Sequence, residues 1–288
     1  MAKLSAIQLT SSPNVEINLA SIDQQLKLLD IDDNHIVVLP ECCLYFGGRD
    51  SEQLALAKEN HQDNQLTRAL ARLAEKYSIT LIAGSIPLYK PELNKFTNSC
   101  CVFSSSGQKV AQYDKIHLFD VDIDDSEKNY QESRYTEAGS EIVTFKSGEF
   151  QLGLTVCYDL RFPELYRQLA TLGAQIITVP SAFTKVTGKA HWQTLLRARA
   201  IENQVYIVAA GQQGKHENGR ETWGHSMIIN PWGEILACQK EGRGSITVEV
   251  NLAELMNIRN AIPVAKHNRF ITKLKHLIKA PNLSKELN

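Results

Sequence analysis

The sequence predicts a single α/β domain, and three observations carry that expectation. Strand-like and helix-like stretches interleave from one end to the other. No internal repeat, low-complexity tract or Pro/Ser-rich linker offers a place for a domain boundary. The chain has 288 residues, 43% hydrophobic and 22% charged, a globular composition long enough to bury a sizeable core.

Taken in order, Lys3–Gln8 alternates as a first strand, and Asn14–Leu29 has helical spacing through Ile17, Ile22, Leu26 and Leu29. His35–Leu39 is a short apolar strand of the kind buried on both faces, ending at Pro40–Glu41. A weak helix around Glu52–Lys58 and a stronger one at Asn64–Tyr77 follow. Thr80–Pro87, Ser99–Ser104 and Lys109–Tyr113 read as strands, the last two joined by a hairpin turn at Ser104–Gly107. Ile116–Ser140 is the longest stretch without a period, and a loop of that length in a compact domain is functional or disordered. Glu141–Phe145 and Glu149–Val156 read as a hairpin. A turn at Cys157–Phe162, a helix from Pro163, a strand at Gln175–Val179, a helix at Ala190–Glu202 and a strand at Val205–Ala210 follow. Ser226–Asn230, Glu234–Gln239 and Ser245–Val250 look like a closing meander. Leu252–Arg259 is helical, and the basic stretch Lys266–Lys279 has the pattern of an amphipathic helix.

Charge and cysteine usage exclude several functions. A net charge of −1 offers no field for nucleic acid or an anionic membrane. No apolar run approaches the roughly 20 residues that cross a bilayer. The N-terminus lacks a signal peptide's apolar core, so the cytoplasm is the expected compartment. Six cysteines occur as two adjacent pairs, Cys42–Cys43 and Cys100–Cys101, plus Cys157 and Cys238. Adjacent residues of a strand face opposite ways, and no Cys/His ligand spacing appears, so six reduced thiols and no metal are expected.

Three strand ends carry reactive groups: Glu41 after HIVVLP, Lys115 after KVAQYD and Cys157 after LGLTV. Each has an ordinary explanation, as a solvated loop or cap residue, a surface lysine and a small buried hydrophobe. Together they form a coherent acyl-transfer set. Glu41 would take the thiol proton, Cys157 would attack a carbonyl, and Lys115 with the backbone N–H after the cysteine would hold the oxyanion. Backbone N–H groups at the start of the following helix would favour a thiolate.

LPECCLYFG around Glu41, YDKIHLFD around Lys115 and LTVCYDLRFPELYR around Cys157 resemble the three signature segments of the nitrilase superfamily of carbon–nitrogen hydrolases. VPSAFT, HWQTLLRARAIEN and GHSMIINPWGEILA extend the likeness over roughly residues 3 to 270. The resemblance implies a four-layer α-β-β-α sandwich, with residues 1–270 as one hydrolase domain and 271–288 as a C-terminal tail. It implies a Glu41–Lys115–Cys157 triad and a second glutamate after the lysine, Glu132, with Glu137 as the alternative. It also implies no cofactor, and a homodimer or higher homo-oligomer built on the helices beginning near Pro163 and Ala190. KIHLFDVDI, QES, AFTKVTGKAHW and RARAIENQVYIVAAGQ look most like the branch that hydrolyses deaminated glutathione to 2-oxoglutarate and cysteinylglycine. An ω-amidase acting on 2-oxoglutaramate, or a carbamoyl-amide hydrolase, remains as an alternative. A non-catalytic scaffold or thiol sensor is the alternative from another class.

Tyr45, Tyr158, Arg161, Phe183, Thr184 and Thr187 are the candidate pocket residues for a small-molecule amide. Arg161, Lys185 and Arg49 are the candidate cations for its carboxylates. His191 and Trp192 read as packing, and His117 has no evident partner in sequence.

Overall fold

A computed structural model describes residues 1–123 and 129–274. The chain begins with β1 (Ala2–Gln8), α1 (Val15–Lys27), β2 (His35–Val38), α2 (Asp50–Asp63), α3 (Gln65–Lys76), β3 (Thr80–Ile82), β4 (Ile86–Lys90), β5 (Lys95–Phe103) and β6 (Lys109–Asp114). Next come β7 (Asp120–Asp122), β8 (Asn129–Gln131), β9 (Thr144–Ser147), β10 (Phe150–Leu154), α4 (Pro163–Thr171), β11 (Ile176–Ser181), the single turn α5 (Lys185–Thr187) and α6 (Gln193–Asn203). It ends with β12 (Tyr206–Gly211), β13 (Gln213–Lys215), β14 (Glu221–Trp223), β15 (Ser226–Ile229), β16 (Ile235–Gln239), β17 (Gly244–Val250), α7 (Leu252–Ala261) and α8 (Val264–His267).

Two sheets carry the fold. The first runs β17-β1-β2-β3-β5-β4, with β6 also on β5; the second runs β16-β15-β12-β11-β10-β9. The strand alternation explains why they stack. Leu4, Ala6, Ile36, Val38, Ile82, Cys100 and Val102 belong to the core shared with Leu152, Leu154, Val179 and Val208 of the second sheet. Their neighbours Val37, Leu81, Cys101 and Phe103 face Ile22, Leu26, Leu70 and Leu73 of α1 and α3. Both faces of the first sheet are therefore apolar, one against the other sheet and one against helices. On the far side, α4 and α6 pack on the second sheet through Leu165, Leu169, Leu196 and Ala200. The result is the expected α-β-β-α sandwich. In both sheets the central strands are parallel, β1-β2-β3 and β10-β11-β12, so their carboxyl ends define one edge where loops converge.

Several elements differ from the sequence expectation. Thr80–Pro87 is two strands, because Gly84 takes φ +55 and turns the chain between them. The closing meander is only the β15-β16 hairpin. β17 leaves it and pairs antiparallel with β1 across the full register Ala2↔Val250 to Gln8↔Gly244, becoming the end strand of the first sheet. Cys42 and Cys43 lie in a turn, Cys42 at φ +53, whereas Cys100 and Cys101 do alternate across β5. The unpatterned stretch after Ile116 contains the small β7-β8 ladder, and the region around Asn218–Gly219 forms a β13-β14 hairpin. The C-terminal stretch is helical only at Val264–His267; 268–274 have no regular structure, and 275–279 lie outside the described residues.

Candidate active site

Glu41 follows β2 in the first sheet, Lys115 follows β6, and Cys157 follows β10 in the second, so the three meet only because the sheets stack. All three are buried: Glu41 is 5% exposed, Lys115 2% and Cys157 7%. Glu41 is the hub. Its Oε1 accepts from Lys115 Nζ at 2.9 Å and Asn98 Nδ2 at 3.0 Å, and its Oε2 accepts from the Ala182 N–H at 2.9 Å. Cys157 lines the same cavity as Glu41, Lys115 and Ala182.

Glu132, not Glu137, is the second carboxylate on the lysine. It accepts from Lys115 Nζ at 3.1 and 2.9 Å, from Asn98 at 3.1 Å and from the Phe119 N–H at 2.7 Å. Glu137 instead approaches Lys95, at 3.9 Å. The Lys115 ammonium therefore sits between two carboxylates, each within hydrogen-bond reach. Burial disfavours the lysine's charge, but the carboxylates of Glu132 and Glu41 outweigh it and raise its pKa well above the usual 10.5.

Cys157 sits at φ +49, in the left-handed region, and opens a 3-10 turn, Cys157–Arg161, that precedes α4. A positive φ at a non-glycine residue costs backbone energy that the surroundings must hold in place. Asp159, fully buried, does the holding. Its Oδ2 accepts from the Val156 N–H at 2.8 Å and the Tyr113 hydroxyl at 2.7 Å. Its Oδ1 accepts from the His117 N–H at 3.1 Å and lies 2.7 Å from His117 Nδ1. One carboxylate thus ties the cysteine's turn to residues on both sides of Lys115. The expectation that a helix start would favour a thiolate is corrected here. Burial, then the neighbouring Glu41 charge, pushes the thiol's pKa up rather than down.

A cavity opens over this cluster. Phe46, Phe96, Phe119, Tyr135, Tyr158 and Phe183 give it an aromatic wall, and Asp50, Gln53, Gln131 and Arg220 add polar groups. Of the sequence-derived pocket residues, Tyr158, Phe183, Thr184 and Thr187 line it. Tyr45 and Arg161 do not. The Tyr45 hydroxyl is bonded to Glu52 at 2.7 Å, and Arg161 packs over Tyr158 and Phe183 and approaches His191 at 3.3 Å. Lys185 pairs with Glu221 outside the cavity, and Arg49 is not in its wall. Trp192 packs on Phe183, and His117, paired with Asp159, stacks on Phe162. Asn98, Asp159 and Arg220 escaped sequence reasoning. Of these, Asp159 stands within the quoted segment LTVCYDLRFPELYR, whereas Asn98 sits among other polar residues of KFTNSCCVF.

The sequence profile of the carbon-nitrogen hydrolase family matches residues 3–260. The chain belongs to this family. The hydrolase is 42% identical over 274 residues to a deaminated glutathione amidase of Yersinia enterocolitica, covering 95% of each chain. It is 37% identical over 234 residues to the omega-amidase NIT2 of Homo sapiens, covering 81% of this chain and 83% of the relative. The crystal structure of the C. elegans NitFhit protein superposes on it with a TM-score of 0.84 at 36% identity, over 93% of this chain and 66% of that one. No helix among the hydrolase's described residues is long and apolar enough to cross a membrane.

Proposed function

We propose that this hydrolase is a thiol amidase with a Glu41–Lys115–Cys157 triad, acting on deaminated glutathione to give 2-oxoglutarate and cysteinylglycine. The observation that carries the reading is that the buried carboxylate of Glu41, bonded to the Lys115 ammonium at 2.9 Å, lines the same cavity as Cys157. Sγ gives its proton to Glu41 as it bonds the amide carbon, and the carbonyl electron pair moves onto oxygen. Protonation neutralises Glu41 and loosens its hold on Lys115, whose charge is then available to the oxyanion. Collapse breaks the C–N bond, and Glu41 returns the proton to the departing amine. Water, deprotonated by Glu41, attacks the thioester, and the thiol leaves reprotonated. Glu132 and Asn98 hold Lys115 and Glu41 in register throughout.

A non-catalytic scaffold would gain nothing from sinking a lysine between two carboxylates under a cavity, since such burial costs more than apolar packing. Mass spectrometry of wild-type protein and Cys157→Ala after incubation with the amide tests the reading. A thioester adduct or product with wild type alone supports it; neither species with wild type sinks it. The second reading is ω-amidase action on 2-oxoglutaramate, favoured by the 37% identity to an enzyme of that name. Side-by-side kcat/KM for the two substrates decides between them. The proposal extends to a cytoplasmic homodimer joined through α4 and α6, which pack together; light scattering of the purified protein that gives a monomer mass would remove the dimer.

A further inference from the structure

We infer that the carboxamide oxygen of Asn98 accepts a hydrogen bond from the N–H of the scissile amide, so that the enzyme favours amides carrying a hydrogen on the nitrogen it expels. The inference rests on the amidase reading above and deepens it, from the acyl side of the substrate to the leaving nitrogen. Asn98 lies on β5, is 6% exposed, and lines the cavity with Glu41, Lys115 and Cys157. Its Nδ2 donates to Glu41 Oε1 at 3.0 Å and to Glu132 Oε1 at 3.1 Å. A carboxamide nitrogen has two hydrogens, and two carboxylates engage it here. Two anions can face only the NH2 end of the group, so charge fixes which end is which. No described residue donates to the other end, Oδ1. Among the described residues, the unbonded polar side-chain atoms sealed from solvent are His35 Nδ1, Thr178 Oγ1 and Asn203 Oδ1, so Asn98 Oδ1 keeps its access. On a residue this buried, that access is through the cavity it lines.

A substrate N–H suits this acceptor. Nδ2 and Oδ1 belong to one rigid planar group, so the open oxygen lies within a carboxamide's width of Glu41, the residue to which the amidase reading assigns the proton. Breaking the C–N bond requires the leaving nitrogen to take that proton on its lone pair. A nitrogen whose hydrogen is held by Asn98 turns only about that bond, which keeps its lone pair beside Glu41. Asn98 is itself fixed. Its carbonyl accepts from the Lys115 N–H at 3.0 Å, and β5 is flanked by β4, through the pair Pro87↔Asn98, and by β6. Primary and secondary amides bring an N–H to this oxygen, and both proposed substrates are of those kinds. A tertiary amide or an ester brings none and leaves a buried acceptor without a donor, which costs free energy.

The test uses two amides of the 2-oxoglutaryl group that both proposed substrates share: the N-methyl amide, which has an N–H, and the N,N-dimethyl amide, which has none. Methylamine and dimethylamine are similarly basic, so the demand for a proton on the leaving nitrogen is alike in the two. Wild-type protein should show a kcat/KM for the N-methyl amide at least about 10-fold above that for the dimethyl amide, the scale of a buried acceptor left without its donor. In Asn98→Ala that ratio should fall by about 10-fold or more. Both rates also drop there, because Glu41 and Glu132 lose a shared donor, and the ratio removes this common loss. Asn98→Ser, whose hydroxyl can still donate to one carboxylate, should show the same fall, and it replaces the alanine variant if thermal unfolding shows that one to be unfolded. A ratio within twofold of wild type in a folded variant overturns the inference and assigns the wild-type preference to the room for a second methyl group. A wild-type ratio near one overturns it whatever the variants do. In both cases the amidase reading stands, because amides are still cleaved. Failure of wild type to hydrolyse the N-methyl amide and the two proposed substrates would remove both.

Discussion

Replacing Glu132 with glutamine should remove most of the turnover while leaving Cys157 and Glu41, the proposed nucleophile and base, in place. Glu132 takes two contacts from Lys115, at 3.1 and 2.9 Å, and one each from Asn98 and the Phe119 N–H. Glutamine keeps one acceptor oxygen and turns an NH2 toward groups that are themselves donors. Losing a charge-assisted bond to a buried ammonium is worth about 1.5–3 kcal/mol. The larger effect is on Glu41, which becomes the sole counter-charge for Lys115. The more strongly it is held as an anion, the worse it is at accepting the thiol proton. If that energy is expressed at the transition state, kcat/KM falls by about 10- to 150-fold, with the loss in kcat rather than KM. Steady-state kinetics should be paired with the rate of Cys157 alkylation by iodoacetamide, which should drop in parallel because it needs the same proton acceptor. Thermal unfolding checks that the variant is folded. A folded Glu132→Gln with kcat/KM within twofold of wild type would refute the argument that Glu132 holds the lysine for catalysis.

Asp159→Asn removes the charge that ties Val156, Tyr113 and His117 together in a fully buried setting. We expect a loss of about 3 kcal/mol and, at about 2–4 °C per kcal/mol, a Tm lower by about 6–12 °C; an unchanged calorimetric Tm contradicts this. His35 and His216 are buried with pKa values lowered to about 4, chiefly by desolvation. The unfolded chain binds their protons near 6.5, so stability is full above that pH and declines as pH falls from 6.5 toward 4. At pH 5 the two together should have cost about 4 kcal/mol, at 1.36 kcal/mol per unit per group. Urea midpoints that match at pH 7 and pH 5 would refute that assignment. Gly84→Ala places a Cβ 1.9 Å from the Pro40 carbonyl oxygen, at a residue with φ +55. The clash must displace the Pro40–Glu41 turn, so both Tm and turnover should collapse, by more than about 3 kcal/mol in stability; a normal melting curve would show that the loop can yield.

What was legible in the sequence was local. The helical spacing of Ile22 and Leu26 marks α1, whose buried face they form, and HIVV is a strand buried on both faces. The three strand ends were legible for the same reason, since each apolar run stops one or two residues before its reactive group. Partnerships set by the tertiary fold were not. The alternation in Gly244–Val250 says that a strand exists, but not that it will abandon β16 to pair with β1. Asp159 reads as an ordinary acid in a turn until the stacking of the sheets brings Tyr113 and His117 to it. Arg220 reads as a turn residue until the β13-β14 hairpin folds beside the loop of Glu41.

The same distinction separates chemistry from specificity in this protein. The proposed triad depends on strand ends, which every stacked pair of sheets of this kind would present at one edge, and so it leaves a dense local signature. The cavity wall depends on the loops that cross above that edge: Phe46 after β2, Phe119 and Tyr130 around β7-β8, and Arg220 on β13-β14. Arg220 joins these three loops by packing against Phe46 and Tyr130, side chains from the other two, beside the Asn218–Gly48 bond and the Phe46–His216 contact. A substitution at any one of them therefore acts on the same cation.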